Sequence, residues 1–157
     1  MSKTTILIAL FVVVVAAAGI AFTSGTPSDG SSLGSVVVHK SPTCGCCGVY
    51  VSYLKKLGYG VEVHDINDND LAAKKRELGI PYELESCHTS EVGGYVVEGH
   101  IPGETIAKLV ALKPDIKGIG MPGMPMGAPG MPGTKMGNFV IYEITHDGAQ
   151  GDIFVTL

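Results

Sequence analysis

The sequence predicts a mixed α/β fold, and two kinds of pattern carry that expectation. Short β-branched runs alternate with segments whose apolar residues recur at helical spacing. Glycines and prolines fall where each helical pattern ends. At 157 residues the chain is long enough for one domain with a hydrophobic core.

Taken in order, Val36-Val37-Val38 reads as a buried strand bounded by Ser35 and by Ser41-Pro42. After Thr43-Cys44-Gly45-Cys46-Cys47-Gly48, the apolar residues Tyr50, Val51, Leu54 and Leu57 trace one helical face, and Gly58 is its stop. Val61 and Val63 alternate with Glu62 and His64 and predict a second strand. Asn67-Asp68-Asn69-Asp70 offers N-cap residues for a helix running toward Leu78, ended by Gly79. Tyr95-Val96-Val97 predicts a third strand, and Ile106, Leu109 and Val110 a third helix, closed by Pro114. This β-α-β-α-β-α order has short connections, and right-handed crossovers restrict it to a few compact arrangements. A Gly/Pro/Met segment, 118–137, interrupts the pattern. Phe139–Ile144 and Ile153–Val155 then flank Asp147-Gly148, the signature of a C-terminal hairpin over 138–157.

The N-terminus reads as targeting sequence. Lys3 is followed by an uncharged, almost wholly apolar run from Ile6 to Phe22. Residues 1–24 fit a secretory signal, and the same run fits a retained membrane anchor. Either way the chain is expected to be exported, with residues 25–34 as a flexible linker and 35–157 as the folded domain. The formal charge is −4, without basic clusters, so nucleic acid is not an expected partner. Contact with a membrane is expected only through an uncleaved N-terminal segment.

The chemistry concentrates in four cysteines. Cys44, Cys46 and Cys47 fall where a strand passes into the first turn of a helix. Unpaired N–H groups and the helix dipole there stabilise a thiolate, the form that attacks disulfides and binds metal. Cys44 and Cys47 have C-x-x-C redox spacing, and Cys46 adds a thiol that a dithiol enzyme does not need. Glycines 45 and 48 read as residues of turns and close backbone approach.

Four stretches carry a resemblance: CGCCGVYVSYLKKLGY, SCHTSEVGGYVVEGHIP, the helix that follows, and GIGMPGMPMGAPGM. Over about 35–135 the chain resembles the bacterial copper-resistance proteins called CopG. The resemblance implies a thioredoxin-like fold and a role in copper handling in the periplasm. In such a fold the loop before the third core strand lies beside the C-x-x-C motif. That expectation puts Ser86-Cys87-His88-Thr89 next to the first cluster, with Thr89 where thioredoxins usually carry a cis-proline. Cys87 then supplies a fourth sulfur, and His88 a ligand or a supporting imidazole. His100 reads as a structural residue at the start of a helix, and His39, His64 and His146 as strand or turn residues.

Met121, Met124, Met126 and Met131 share the Gly/Pro segment, which lacks helical periodicity. One reading is apolar loop filler. The other is thioether ligation, since soft sulfur donors select Cu(I) over harder ions. The expected metal site is therefore Cys44, Cys46, Cys47, Cys87, His88, Met121, Met124, Met126 and Met131. Copper ions, as Cu(I), are its ligand, and other periplasmic copper-handling proteins are its partners. The competing reading is a thiol–disulfide oxidoreductase or arsenate-reductase-like enzyme acting through Cys44 or Cys47. A four-cysteine iron–sulfur site or structural zinc would use the thiols but leave the methionines without a role. Two plain disulfides are the remaining reading of the cysteines.

Overall fold

The computed structural model describes residues 33–157; the apolar N-terminal run and nearly all of the linker lie outside them. The chain order is β1 (Ser35–Lys40), α1 (Gly45–Leu57), β2 (Gly60–Asp65), α2 (Asp68–Glu77), a 3-10 turn (Tyr82–Leu84), β3 (His88–Val92) and β4 (Tyr95–Glu98). It continues with α3 (Gly103–Leu112), β5 (Gly118–Gly120), β6 (Val140–Ile144) and β7 (Gln150–Thr156). The seven strands among the described residues form one sheet in the order β2-β1-β3-β4-β5-β6-β7. β1 runs parallel to β2 and β4 to β5; the remaining neighbours are antiparallel.

The helices end where the sequence places their stops. Gly58 adopts φ 97°, and its N–H reaches back to the carbonyls of α1. At the start of α2 the Asn67 side chain accepts the Asp70 N–H at 3.0 Å. Two layers cover the sheet, and strand alternation decides which residue enters which. Val36, Val38, Val92 and Val97 face a core shared with Tyr50, Leu54, Ile106 and Leu109 of α1 and α3. Val96, one residue from Val97, faces the other side with Ile80, Leu84 and Ile144. A fully buried leucine such as Leu54 contributes roughly 1.5–3 kcal/mol by leaving water.

Two departures from the sequence reading matter for the site. The stretch read as a loop before the third strand is itself mostly strand: His88 and Thr89 open β3, which a Gly93-Gly94 turn joins to β4. Only Ser86 and Cys87 precede it. The Gly/Pro/Met segment begins with three residues that extend the sheet as β5, because Gly118–Gly120 pairs with β4 on one side and β6 on the other.

Candidate metal centre

The end of β1 delivers the chain to α1 through a tight turn in which the Cys44 N–H donates to the Ser41 carbonyl at 3.1 Å. Cys44 is the N-cap residue, with extended backbone and no capping side chain. Cys46 and Cys47 sit in the first turn beyond it. A Cβ placed on Gly45 or Gly48 would meet nothing within 4 Å, so close approach does not explain these two glycines.

Cys44 and Cys47 form a disulfide with a Cα–Cα distance of 5.4 Å, and Cys46 and Cys87 are free thiols. The Cys46 Sγ stands 3.5 Å from that of Cys44 and 3.9 Å from that of Cys87. Helix N-terminus and β3 lead-in thus bring all four sulfurs within 4.8 Å of one another. Cys47 is fully buried, and the other three are partly exposed.

Two imidazoles complete the cluster, one of them unforeseen. His88 points from β3 toward α1, its ring 4.5 Å from that of Tyr50, and its Nδ1 is 3.5 Å from the Cys87 Sγ. Its Nε2 is buried without a hydrogen-bond partner. His100, read from sequence as a structural residue, brings its Nε2 to 3.0 Å from the same sulfur. Cys87, His88 and His100 together form a second group within metal-ligand reach. The signal for His100 lay in the hairpin: once β3 and β4 pair with Thr89 opposite Glu98, the chain two residues past Glu98 must return beside Cys87.

The electrostatics favour neutral imidazoles. Burial, with His100 and Lys75 nearby, holds His88 well below the usual histidine range. Burial also lowers His100, although its bond to the Pro129 carbonyl opposes the shift. That carbonyl can only accept, so the 2.6 Å contact fixes the proton on His100 Nδ1 and turns the Nε2 lone pair toward Cys87. Metal-binding histidines commonly show this arrangement. Burial and the neighbouring Cys46 push the Cys87 thiol up to about 12. A cation entering the cluster would reverse that balance by stabilising the thiolate. Neutral imidazoles, clustered sulfurs and an orphaned Nε2 suit a soft or borderline cation.

The methionine segment divides by position. It packs down on the cysteine helix at Gly130, where a Cβ would lie 2.8 Å from the Tyr50 nitrogen and 2.9 Å from the Cys46 oxygen. Glycine is required there by contact as well as by its φ of +83°. Met121 is only 2% exposed and belongs to the core between sheet and helices, and Met131 packs partly buried against that core. Met126 is exposed, with its methyl end against Gly133. Met124, also exposed, lines a pocket of about 510 Å³ with Cys87, Tyr82, Glu83 and Glu85. Met124 thus shares a pocket with a free thiol.

A mixed α/β sheet carrying a four-sulfur group, and a second group in which Cys87 meets two imidazoles, defines a protein with a candidate soft-metal centre. Comparison with known proteins makes that class specific. A family model described as a protein of unknown function, DUF411, matches residues 84–131. Two solved structures of the copper resistance protein CopG are similar over 78% of this chain at 35% identity. Form 1 has a TM-score of 0.70 with 96% of its own chain covered, and form 2 has 0.69 with 97% covered. No curated protein matches. The chain belongs to the CopG family of copper resistance proteins.

Proposed function

We propose that this chain is an exported copper-binding protein that takes Cu(I) at the cysteine cluster and serves copper resistance in the periplasm. The observation that carries the reading is the clustering of the Cys44, Cys46, Cys47 and Cys87 sulfurs, with the neutral imidazoles of His88 and His100 beside the shared Cys87. Thiolate sulfur is the donor type that prefers Cu(I) to Zn(II) or harder ions. Kinship with CopG supports copper as the cargo. The strand order β2-β1-β3-β4, with the C-x-x-C pair at the start of α1, supports a thioredoxin-like ancestry for the core.

Cargo loading on all four sulfurs requires the Cys44–Cys47 bridge to be reduced, and the pocket beside Cys87 is the open approach. Met124 stands on that approach as a thioether donor. Met121, Met126 and Met131 are secondary candidates, and residues 1–24 are the export signal or anchor. Storage, transfer to another periplasmic copper-handling protein, and a change of copper oxidation state all fit this donor set.

One observation favours a second reading. Cys44 is partly exposed and Cys47 buried, which is the asymmetry a thiol–disulfide oxidoreductase uses: an accessible attacking sulfur and a protected resolving one. Anaerobic titration of the fully reduced protein with Cu(I) and Zn(II), followed by X-ray absorption, separates the two. Tight Cu(I) binding through sulfur supports the first. Weak, unselective binding with efficient reduction of a disulfide substrate supports the second.

A further inference from the structure

We propose that Lys75, Glu98 and Thr89, buried on the opposite face of the sheet from the imidazoles, are positioning residues that set Cys87 and His88 for the metal. The proposal rests on the Cu(I) reading above.

The three side chains are almost sealed from solvent: Lys75 is 4% exposed, and Thr89 and Glu98 are fully buried. Lys75 reaches from α2 and donates to both Glu98 Oε1 and Thr89 Oγ1, the second bond at 3.0 Å. Thr89 donates its hydroxyl hydrogen bond to Glu98 Oε2 at 2.5 Å. The remaining Glu98 contact leaves the triad: Oε1 accepts the backbone N–H of Ser86 at 2.6 Å. One carboxylate therefore holds the chain on both sides of Cys87-His88, at Ser86 before the pair and at Thr89 after it.

Strand geometry turns this clamp into an aiming device. Thr89 and Glu98 are cross-strand partners in the β3–β4 ladder. Because side chains alternate, anchoring Thr89 on the α2 face commits His88 to the α1 face, where Tyr50 and His100 lie. Glu98 is also the last residue of β4, two residues before His100 in the bend that follows, so it ties the two imidazole-bearing segments together.

An ion pair in this place is poorly explained by stability. Removing two charges from water is costly, and apolar replacements of such pairs are often neutral or stabilising. What an apolar pair cannot do is accept the Ser86 N–H or the Thr89 hydroxyl. The charge pair therefore buries a directional acceptor behind the site.

The test uses the full chain, produced with export, purified and reduced anaerobically so that the Cys44–Cys47 bridge is open. Lys75→Met/Glu98→Met replaces the pair by apolar side chains, Thr89→Val removes one hydroxyl at constant shape, and Thr89→Ser restores it. Each is compared for thermal midpoint, Cu(I) affinity by chelator competition, the copper X-ray absorption spectrum, and the metal-free amide signals of residues 86–89. The expected result is a near-native midpoint with Cu(I) affinity lowered roughly 10- to 100-fold in the double variant and in Thr89→Val. The absorption spectrum changes with it, and both readouts recover in Thr89→Ser. Wild-type affinity and spectrum in folded Thr89→Val would overturn the proposal, and that variant decides alone if the double variant does not fold. Failure of the wild type to bind Cu(I) would instead sink the copper reading. The triad would then be judged by the metal-free signals, where unshifted amides at 86–89 in Thr89→Val overturn it.

Discussion

His100 turns its Nε2 to within 3.0 Å of the Cys87 sulfur while its Nδ1 hydrogen is held by the Pro129 carbonyl 2.6 Å away. A ring from the bend after β4 is thereby oriented by the methionine segment and aimed at a thiol from the lead-in to β3. The carbonyl belongs to the same turn that rests on α1 at Gly130. Loop, strand and helix are thus coupled through one imidazole.

Replacing His100 by Phe keeps an aromatic filler and removes both nitrogens. Cu(I) affinity is expected to fall roughly 10- to 100-fold, the loss typical when a ligand or its orienting partner is removed. Chelator competition on the reduced protein measures it. Unchanged affinity would leave His100 as packing only.

Cys46→Ser is expected to weaken Cu(I) binding while leaving the Cys44–Cys47 bridge able to close, because Cys46 is free in the present state. Mass mapping checks the bridge, and anaerobic titration checks the affinity. A variant with native copper binding and full disulfide-reductase activity through Cys44 and Cys47 would point to the oxidoreductase reading.

Among the methionines, Met124→Leu should lower Cu(I) affinity at mildly acidic pH, where protons compete for thiolates but not for thioethers. Met126→Leu should change it less, since the shared pocket contains Met124. Neither swap is expected to cost more than about 1.5 kcal/mol of stability. Met121→Ala, by contrast, opens a core cavity and should cost about 2–5 kcal/mol in denaturant unfolding. Equal isotherms for Met124→Leu and the wild type would reduce the loop to packing.

Acidification should destabilise the metal-free protein. His88 is fully buried and held below its ordinary value of 6.5, with Tyr50, His100, Lys75 and Cys87 around it. The unfolded chain therefore takes up this proton first. The stability is fully present above 6.5, declines as pH falls through it, and stops declining below the depressed folded value. Denaturant midpoints between about pH 7.5 and 5.5 should drop in the wild type and flatten in His88→Gln. Parallel curves would assign the dependence elsewhere.

Most of the framework was legible because local signals agreed. β-branched runs marked β1 and β2, Asn67 marked the start of α2, and Gly58 and Gly79 marked helix ends. The hidden parts are those decided by pairing. His88-Thr89-Ser90-Glu91-Val92 is too polar to announce a strand; of its buried polar residues Thr89 is satisfied by Lys75 and Glu98, whereas His88 Nε2 and Ser90 Oγ have no hydrogen-bond partner. Missing that strand also concealed His100, whose approach to Cys87 follows from the hairpin and from no local pattern. Gly118-Ile119-Gly120 likewise lacks strand propensity and is extended by the partners on each side. Met121 lies one residue beyond it, and the sheet, not helical periodicity, carries that side chain into the core.

The pairing of β5 with β6 has a further consequence for the methionine segment. Gly120 sits opposite Tyr142, so the intervening chain leaves the sheet and returns to it at neighbouring positions. Its two feet are fixed by the ladder, and the entropy of closing such a loop grows only logarithmically, about 0.6 kcal/mol for each doubling of length. Residues could be inserted between the feet, away from the Gly130 contact, with little penalty to the rest of the molecule. The span carrying the thioethers can thus be lengthened, shortened or restocked with donors as a separable arm. The cysteine end, wedged between helix and strand, has no such freedom.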